Sequence, residues 1–328
     1  MPTRRSFVAA GPAALSAVSL AGPAWAQAQG AAAASAAGAT RQAPGFYRYK
    51  VGEIEVTAIN DGFAPRDVEG FVRNADIAEV RQALQEAFLP PTGYQNTYNT
   101  LALRTGGKLV LVDTGNGDSG APTTGTWMSN FRAAGFDPAA VDTVIISHFH
   151  PDHINGLRLK NGSAVFPKAE VMVPSTEWKF WTDEAQESRA PENRRPNFGV
   201  VRRVFGPMMK DVKQYEAGQE LVPGVTALAA HGHSPGHMTF TVQSGNARFM
   251  ILSDITNHPA LFVRNPDWSP TVDQDADMAR ATRRKLLDMA AAERVQVAFY
   301  HAPFPATGHI AKDGSRFQFV PVQWTPAV

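Results

Sequence analysis

Val141-Asp142-Thr143-Val144-Ile145-Ile146-Ser147-His148-Phe149-His150-Pro151-Asp152-His153 is the stretch on which the fold and the chemistry both turn. Its first half is β-branched and apolar, the composition of a strand buried in a sheet. Its second half places three histidines and an aspartate within six residues. The end of a buried strand is a rigid platform, and the loop beyond it can turn side chains into a cleft. His148 and His150 are two apart, so in extended backbone they face one side. Pro151 imposes a turn that lets Asp152 and His153 aim elsewhere. Such an arrangement suits two neighbouring metal ions, the first pair of side chains reaching one and the second pair the other. The competing reading is a patch of surface histidines. A lone histidine would favour it; this density at the end of an apolar strand does not.

Three further places offer ligands. His231-Gly232-His233-Ser234-Pro235-Gly236-His237 is a glycine- and proline-rich turn between two strands. Asp254 follows the strand read over Arg248–Leu252, and His301 follows the one over Gln296–Tyr300. All lie at strand ends, so one rim of the sheets can collect them. Asp113, in Val112-Asp113-Thr114-Gly115, also ends a strand. It is read either as a carboxylate that orients a ligating imidazole or as a turn residue capping local amides.

The rest of the chain supplies the frame. Ile54–Ile59 alternates apolar and polar as a half-buried strand does. Asp76–Phe88 reads as a helix, with Asp76 and Glu79 at its start and Pro90-Pro91 beyond its end. Asn99–Arg104 and Lys108–Asp113 read as a hairpin turned at Gly106-Gly107. Thr126–Ala134 reads as a helix ended by Gly135. Glu170–Val173 is a short strand followed by a helix from Ser175 towards Glu187, and Ser188–Pro207, rich in Arg, Pro and Asn, reads as a long surface loop. Strands follow at Val225–Ala230, Met238–Val242 and Arg248–Leu252. Asp273–Arg294 is the strongest helix, acidic at its start and basic further along. Groups of strands with helices between them imply an α/β or α+β layered fold, with residues 44–328 as one domain.

Composition narrows the function classes. The 328 residues are 44% hydrophobic and carry a formal net charge of +1, with no basic stripe of the kind that binds nucleic acid. No run of 18 uncharged apolar residues follows residue 40, so no membrane span is expected in the mature chain. There are no cysteines, which removes thiolate ligands and Cys nucleophiles and leaves nitrogen and oxygen to hold any metal. Arg4-Arg5 ahead of an apolar stretch closing on Ala24-Trp25-Ala26 reads as an export signal over 1–26, of twin-arginine type, with a flexible linker over 27–43. The expectation is a periplasmic protein.

Taken together the motifs resemble the metallo-β-lactamase superfamily. Its His-x-His-x-Asp-His signature stands as His148 to His153, its Asp-Thr-Gly as Asp113-Thr114-Gly115, and its Gly-His-Thr-Pro-Gly-His turn as Gly232 to His237 with Ser for Thr. The resemblance implies an αββα sandwich with a two-metal centre at one edge. It implies His148, His150 and His237 on one ion, and Asp152, His153 and His301 on the other. It implies Asp254 as the bridge between the two. Zinc is the first expectation, with cobalt, manganese and iron compatible with such ligands. His233 is implied to be structural. Within the superfamily the opening Ala43–Arg48, the segment Ile59–Gly62 and the ending Phe304–Ile310 look like methyl parathion hydrolase and related exported lactonases. Trp181 and Phe198 then fall where that hydrolase lines its pocket, and His258 is a further candidate to face substrate. The loop Asn116–Pro122 is small and polar where that hydrolase has a bulky aromatic.

The implied activity is hydrolysis of lactones or carboxyl esters, N-acyl homoserine lactones among them, with phosphotriesters as a weaker activity. Asp152 and Asp254 carry the catalytic expectation: two ions about 3.5–4 Å apart lower the pKa of a shared water, and Asp152 can shuttle a proton to the leaving group. An organophosphorus hydrolase is the first alternative. β-Lactamases that use a Cys ligand are excluded by composition, and the histidine-only class lacks the bridging Asp. A glyoxalase II type would add a glutathione-binding region, which is not recognised here. A non-catalytic metal-binding module would be expected to have lost ligands. The expected partner is a small ester or lactone, with a homodimer as the expected assembly.

Overall fold

The computed structural model describes residues 42–328; the segments expected as an export signal over 1–26 and a linker over 27–43 lie, but for residues 42 and 43, outside the described residues. From Pro44 onward the strands form two seven-stranded sheets in which chain order is spatial order. The first holds β1 (Phe46–Val51), β2 (Ile54–Asp67), β3 (Gly93–Thr105), β4 (Lys108–Val112), β5 (Thr143–Ile145), β6 (Glu170–Pro174) and β7 (Lys213–Tyr215). The second holds β8 (Glu220–Val222), β9 (Val225–Ala229), β10 (Met238–Ser244), β11 (Ala247–Ser253), β12 (Gln296–Phe299), β13 (Thr307–Asp313) and β14 (Arg316–Pro321). The helices are α1 (Ile77–Glu86), α2 (Trp127–Ala133), α3 (Pro151–Ile154), α4 (Ser175–Trp181), α5 (Glu184–Arg189), α6 (Arg195–Phe205) and α7 (Ala276–Glu293).

The apolar runs of the central strands follow from having both faces covered. In β4, Val110 and Val112 point between the sheets, while Leu109 and Leu111 point outward onto Trp127, Phe131 and Phe198 of the helices. In β11, Phe249 and Ile251 face the other sheet, and Met250 and Leu252 face Leu286, Leu287 and Ala290 of α7. The layers are therefore helix, sheet, sheet, helix, as the resemblance implies. The Gly106-Gly107 hairpin is present: both glycines have positive φ, 57° and 76°, as a two-residue turn matching the twist of its strands requires, and Thr105 pairs with Lys108.

Two expectations are corrected. Ser188–Pro207 is not a long loop, because α6 spans Arg195–Phe205. Phe198, Val201, Val204 and Phe205 recur at helical spacing and are buried, while Arg202 stays exposed; the Arg and Pro residues mask this stripe. Pro196 falls in the first turn, where its missing N–H costs nothing. The helix expected from Ser175 to Glu187 is two helices, broken where Asp183 caps α5 by accepting from the Ala185 amide at 2.7 Å. The strands β1, β7, β8, β13 and β14 gave no reading in sequence; they are short or part-exposed, so their side chains do not alternate cleanly.

Truncating Phe198 to Ala is expected to cost roughly 3–5 kcal/mol, as for other buried aromatics, whereas Arg202→Ala should change stability by at most about 0.5 kcal/mol. Urea unfolding of the two variants checks this; equal midpoints would return residues 195–205 to a surface loop.

Candidate metal centre

Where the two sheets end together, backbone links fix the rim. Met238 N–H donates to Ser147 O at 3.0 Å across the sheets, Tyr300 N–H to Ser253 O at 3.2 Å, and Asn99 N–H to Tyr300 O at 3.0 Å. Two non-glycine residues of the rim hold left-handed backbone, Asp113 (φ 62°) and Ser253 (φ 45°). Such strain is held in place by surrounding structure and clusters at functional sites. At Ser253 it accompanies a register shift in β11, just before Asp254.

Seven side chains converge there. Candidate ligand atoms lie within 4.8 Å of one another in three sets: His148, His150 and His233; His148, His153 and Asp254; Asp152, His153 and His301. His150 Nδ1 is 2.9 Å from both His148 Nε2 and His233 Nε2. Asp254 reaches both sides, with Oδ1 at 3.4 Å from His153 Nε2 and Oδ2 at 3.0 Å from His301 Nε2 and 3.4 Å from His233 Nε2. Asp152 Oδ2 is 3.6 Å from His153 Nε2 and 3.5 Å from His301 Nε2.

The far nitrogens of these rings are tied back. Asp113 Oδ2 lies 2.8 Å from His153 Nδ1 and also accepts from Ser147 Oγ, while its Oδ1 takes the Ser147 amide. Of the two readings of Asp113, orientation of an imidazole is the one the structure supports. Asp273 Oδ1 lies 2.9 Å from His233 Nδ1, and its Oδ2 pairs with Arg283 Nη2 at 2.8 Å. Arg283, fully buried on α7, also donates to the carbonyl of Ile255, next to Asp254. His301 Nδ1 lies 2.9 Å from Thr97 O. Tethers of this kind fix ring orientation and tautomer, and raise ligand basicity.

Glu177 of α4 holds the two histidine loops together. Fully buried, it accepts from the Phe149 amide and Trp181 Nε1 on one oxygen, and from Ser234 Oγ and the Gly236 amide on the other. Burial pushes its carboxyl above the usual carboxylate range, and these donors offset only part of that. Gly232 packs on the start of α7 at φ 122°, where a Cβ would sit 2.3 Å from Ala279 N; only glycine fits.

The residues fit divalent cations. His153 Nε2 and Asp254 Oδ1 are buried without a hydrogen-bond partner, which is costly unless something else satisfies them. Burial first, and neighbouring imidazoles second, push His148 and His150 well below the usual histidine range, so both rings are neutral, as ligation requires. Burial alone would also lower His153, but the carboxylates of Asp254, Asp113 and Asp152 drive it well above that range. Burial would raise Asp254, yet His301 and His153 hold it well below the carboxylate range. These acids thus attract positive charge into the centre, and the N/O donor set without thiolate is one zinc accepts.

Six of the seven expected residues come together; the seventh does not. His237 lies behind the centre: its Nδ1 is 2.9 Å from Ala230 O, and its Nε2 accepts from the Asp254 amide at 3.2 Å. With both nitrogens used, it positions the Asp254 loop, and His233 occupies the place expected for His237. The pocket expectations also change. Trp181 and Phe198 are 1% exposed and pack against each other in the outer core, not against the centre. His258 is buried against Tyr94, 4.5 Å between ring centroids, and lines apolar hollows beyond the cleft rather than the cleft itself. The cleft over the centre, about 390 Å³, is polar, with Arg66, Arg194, Asn116, Asn197 and Tyr98 among its walls.

Glu177, Asp273 and Arg283 were missed in the sequence. For Arg283 a signal existed: it stands in register with the buried Ala279, Leu286, Leu287 and Ala290, a charge on an apolar stripe. Glu177 stands four residues before the buried Trp181 in the same way.

Residues 93–296 match the family described as the Metallo-beta-lactamase superfamily. An N-acyl homoserine lactonase of Bacillus thuringiensis is 24% identical over 214 residues, 58% of this chain and 76% of that protein. Among solved structures, AidC, a dizinc quorum-quenching lactonase in complex with a product, superposes with a TM-score of 0.81 at 27% identity, covering 86% of this chain and 98% of that one. The hydrolase AbOPH of the beta lactamase superfamily gives 0.82 at 27%, covering 87% and 100%.

Two measurements follow from this geometry. Metal analysis of purified variants should find His233→Ala reduced from about two ions per chain to about one, with His237→Gln retaining both, since an amide can still accept from Asp254 N–H; the reverse pattern restores His237 to the centre. Glu177→Ala strands four donors and should lose roughly 3–6 kcal/mol in chemical unfolding.

Proposed function

The chain belongs to the metallo-β-lactamase superfamily and is a metal-dependent hydrolase of ester bonds; from that premise we propose that it is a two-metal lactone hydrolase. The observation that carries this reading is the position of Asp254, whose two oxygens face both histidine groups within 3.4 Å. His148, His150 and His233 would hold one divalent cation and Asp152, His153 and His301 the other, with Asp254 between them and zinc as the first candidate. Bound there, such ions polarise an ester carbonyl and make water nucleophilic near neutral pH.

The chain's own residues do the rest. Asp113, Asp273 and the Thr97 carbonyl keep the imidazoles aimed before substrate arrives, so no reorganisation is needed during reaction. Asp152 keeps its carboxylate partly open to the cleft, its side chain 21% exposed. That suits it to take a proton and hand it to the departing alkoxide. A lactone keeps its leaving group tethered, so a carboxylate beside the ring oxygen is well placed for that transfer. Tyr98 stands edge-on to His301, centroids 5.3 Å apart, and burial, with Asp152 second, pushes its phenol up to about 12. It therefore stays protonated and available as a donor to substrate oxygen.

The relatives with stated substrates are N-acyl homoserine lactonases, which supports lactones ahead of phosphotriesters. A turnover panel on metal-loaded protein tests this: an acyl homoserine lactone, an aryl ester, methyl parathion and a cephalosporin, with the lactone expected first. Preference for any other member overturns the lactone reading. Asp254→Asn should lose most activity together with metal; full turnover with both ions retained would remove Asp254 from its bridging place.

A further inference from the structure

The walls of the cleft say more about the substrate than the centre does. Arg66, near the end of β2, is half-buried, and its Nε is enclosed without a hydrogen-bond partner. Its guanidinium lies over Phe71, 5.1 Å from the ring centroid, which fixes its plane. It stands near the phenols of Tyr94 and Tyr98, whose ionised forms it favours, and Tyr98 touches His301. Arg66 therefore flanks the His301 side of the centre. Arg194, at the start of α6, is also half-buried. Burial, and then the like charge of Arg73, lower its proton affinity with no carboxylate offsetting them.

Asn96 adds a third group. It is 1% exposed, lines the cleft, and its Oδ1 has no partner. Its Nδ2 is placed 3.2 Å from His301 Nδ1, the nitrogen whose proton goes to Thr97 O. Exchanging the amide's oxygen and nitrogen removes that conflict, and the NH₂ then becomes the free group, a donor. Among the described residues, the cleft wall has no carboxylate apart from Asp152 and Asp254 of the centre.

Half-buried guanidiniums without counter-ions are costly to maintain. They also match a carboxylate's geometry, through paired N–H donors. We propose that the preferred substrate is a lactone bearing a carboxylate away from the scissile ester, with Arg66 and Arg194 as its specificity-determining residues. The inference rests on the lactone reading and extends it. It disfavours long uncharged acyl chains in this cleft, because more of its wall is polar than apolar.

The test compares two small lactones with metal-loaded full-length protein: a γ-butyrolactone with a ring carboxylate, and the same ring with a primary amide in its place. The acid should be favoured in kcat/KM by roughly 10–100-fold, the range set by charge-assisted hydrogen bonds, chiefly through KM. In Arg66→Gln/Arg194→Gln the ratio should fall towards one, with metal content and thermal melting confirming an intact fold. Equal rates for acid and amide in the unaltered protein, or an undiminished ratio in the double variant, overturn the inference. An uncharged acyl homoserine lactone run alongside reports on the lactone reading by itself. If no lactone turns over while another ester does, that reading has failed and the selectivity falls with it.

Discussion

Enclosing two carboxylates and five imidazoles at one sheet edge is the constraint on which the rest of this structure depends. Asp152 and Asp254 meet the ring nitrogens of His153, His233 and His301 within 3.6 Å, and His153 Nε2 and Asp254 Oδ1 lack ordinary hydrogen-bond partners. Such a cluster is stable only if positive charge compensates it and if each ring is held from behind. The protein meets the second condition itself, through Asp113 on His153, Asp273 with Arg283 on His233, and the Thr97 carbonyl on His301. Divalent cations held by these residues would meet the first.

The sandwich exists to bring those groups together. Neither sheet holds a full ligand set: the first provides His148 to His153, and the second provides His233, Asp254 and His301. The inter-sheet core of Val110, Val112, Phe240 and Ile251 presses the two halves together. Glu177 and His237 then set the loops at ångström scale, Glu177 by joining the Phe149 and Ser234–Gly236 segments, His237 by holding the Asp254 amide. Both are buried polar groups that touch no substrate, and both act through the residues they position.

The cleft departs from the aromatic pocket that the resemblance suggested. Trp181 and Phe198 carry large apolar surfaces, and the helices α4 and α6 spend that surface on covering the first sheet. What faces the centre instead is amide and guanidinium, a wall suited to polar groups. The fold is shared with the lactonases, and in this chain the cleft wall over the His/Asp cluster is largely polar.

Much of this was legible in the sequence. A buried strand needs a continuous apolar run, so Val141–Ser147 announced itself; three histidines and an aspartate directly after it could only crowd one another, whatever the fold. The layered architecture and six of the seven converging residues followed. The choice between His233 and His237 did not. They are four residues apart on a Pro-Gly turn, and local spacing cannot tell which ring faces the rim and which faces the backbone of Ala230 and Asp254. Helix α6 was hidden because its apolar stripe lies among arginines and prolines, and helix packing against a distant sheet decides such a case. Glu177, Asp273 and Arg283 act on partners up to 59 residues away, and the cleft wall gathers Arg66 and Arg194 from either side of the His148–His153 segment. Residue types set what chemistry the chain can perform; only the tertiary structure decided which atoms face one another, because that depends on packing across sheets that sequence neighbours do not share.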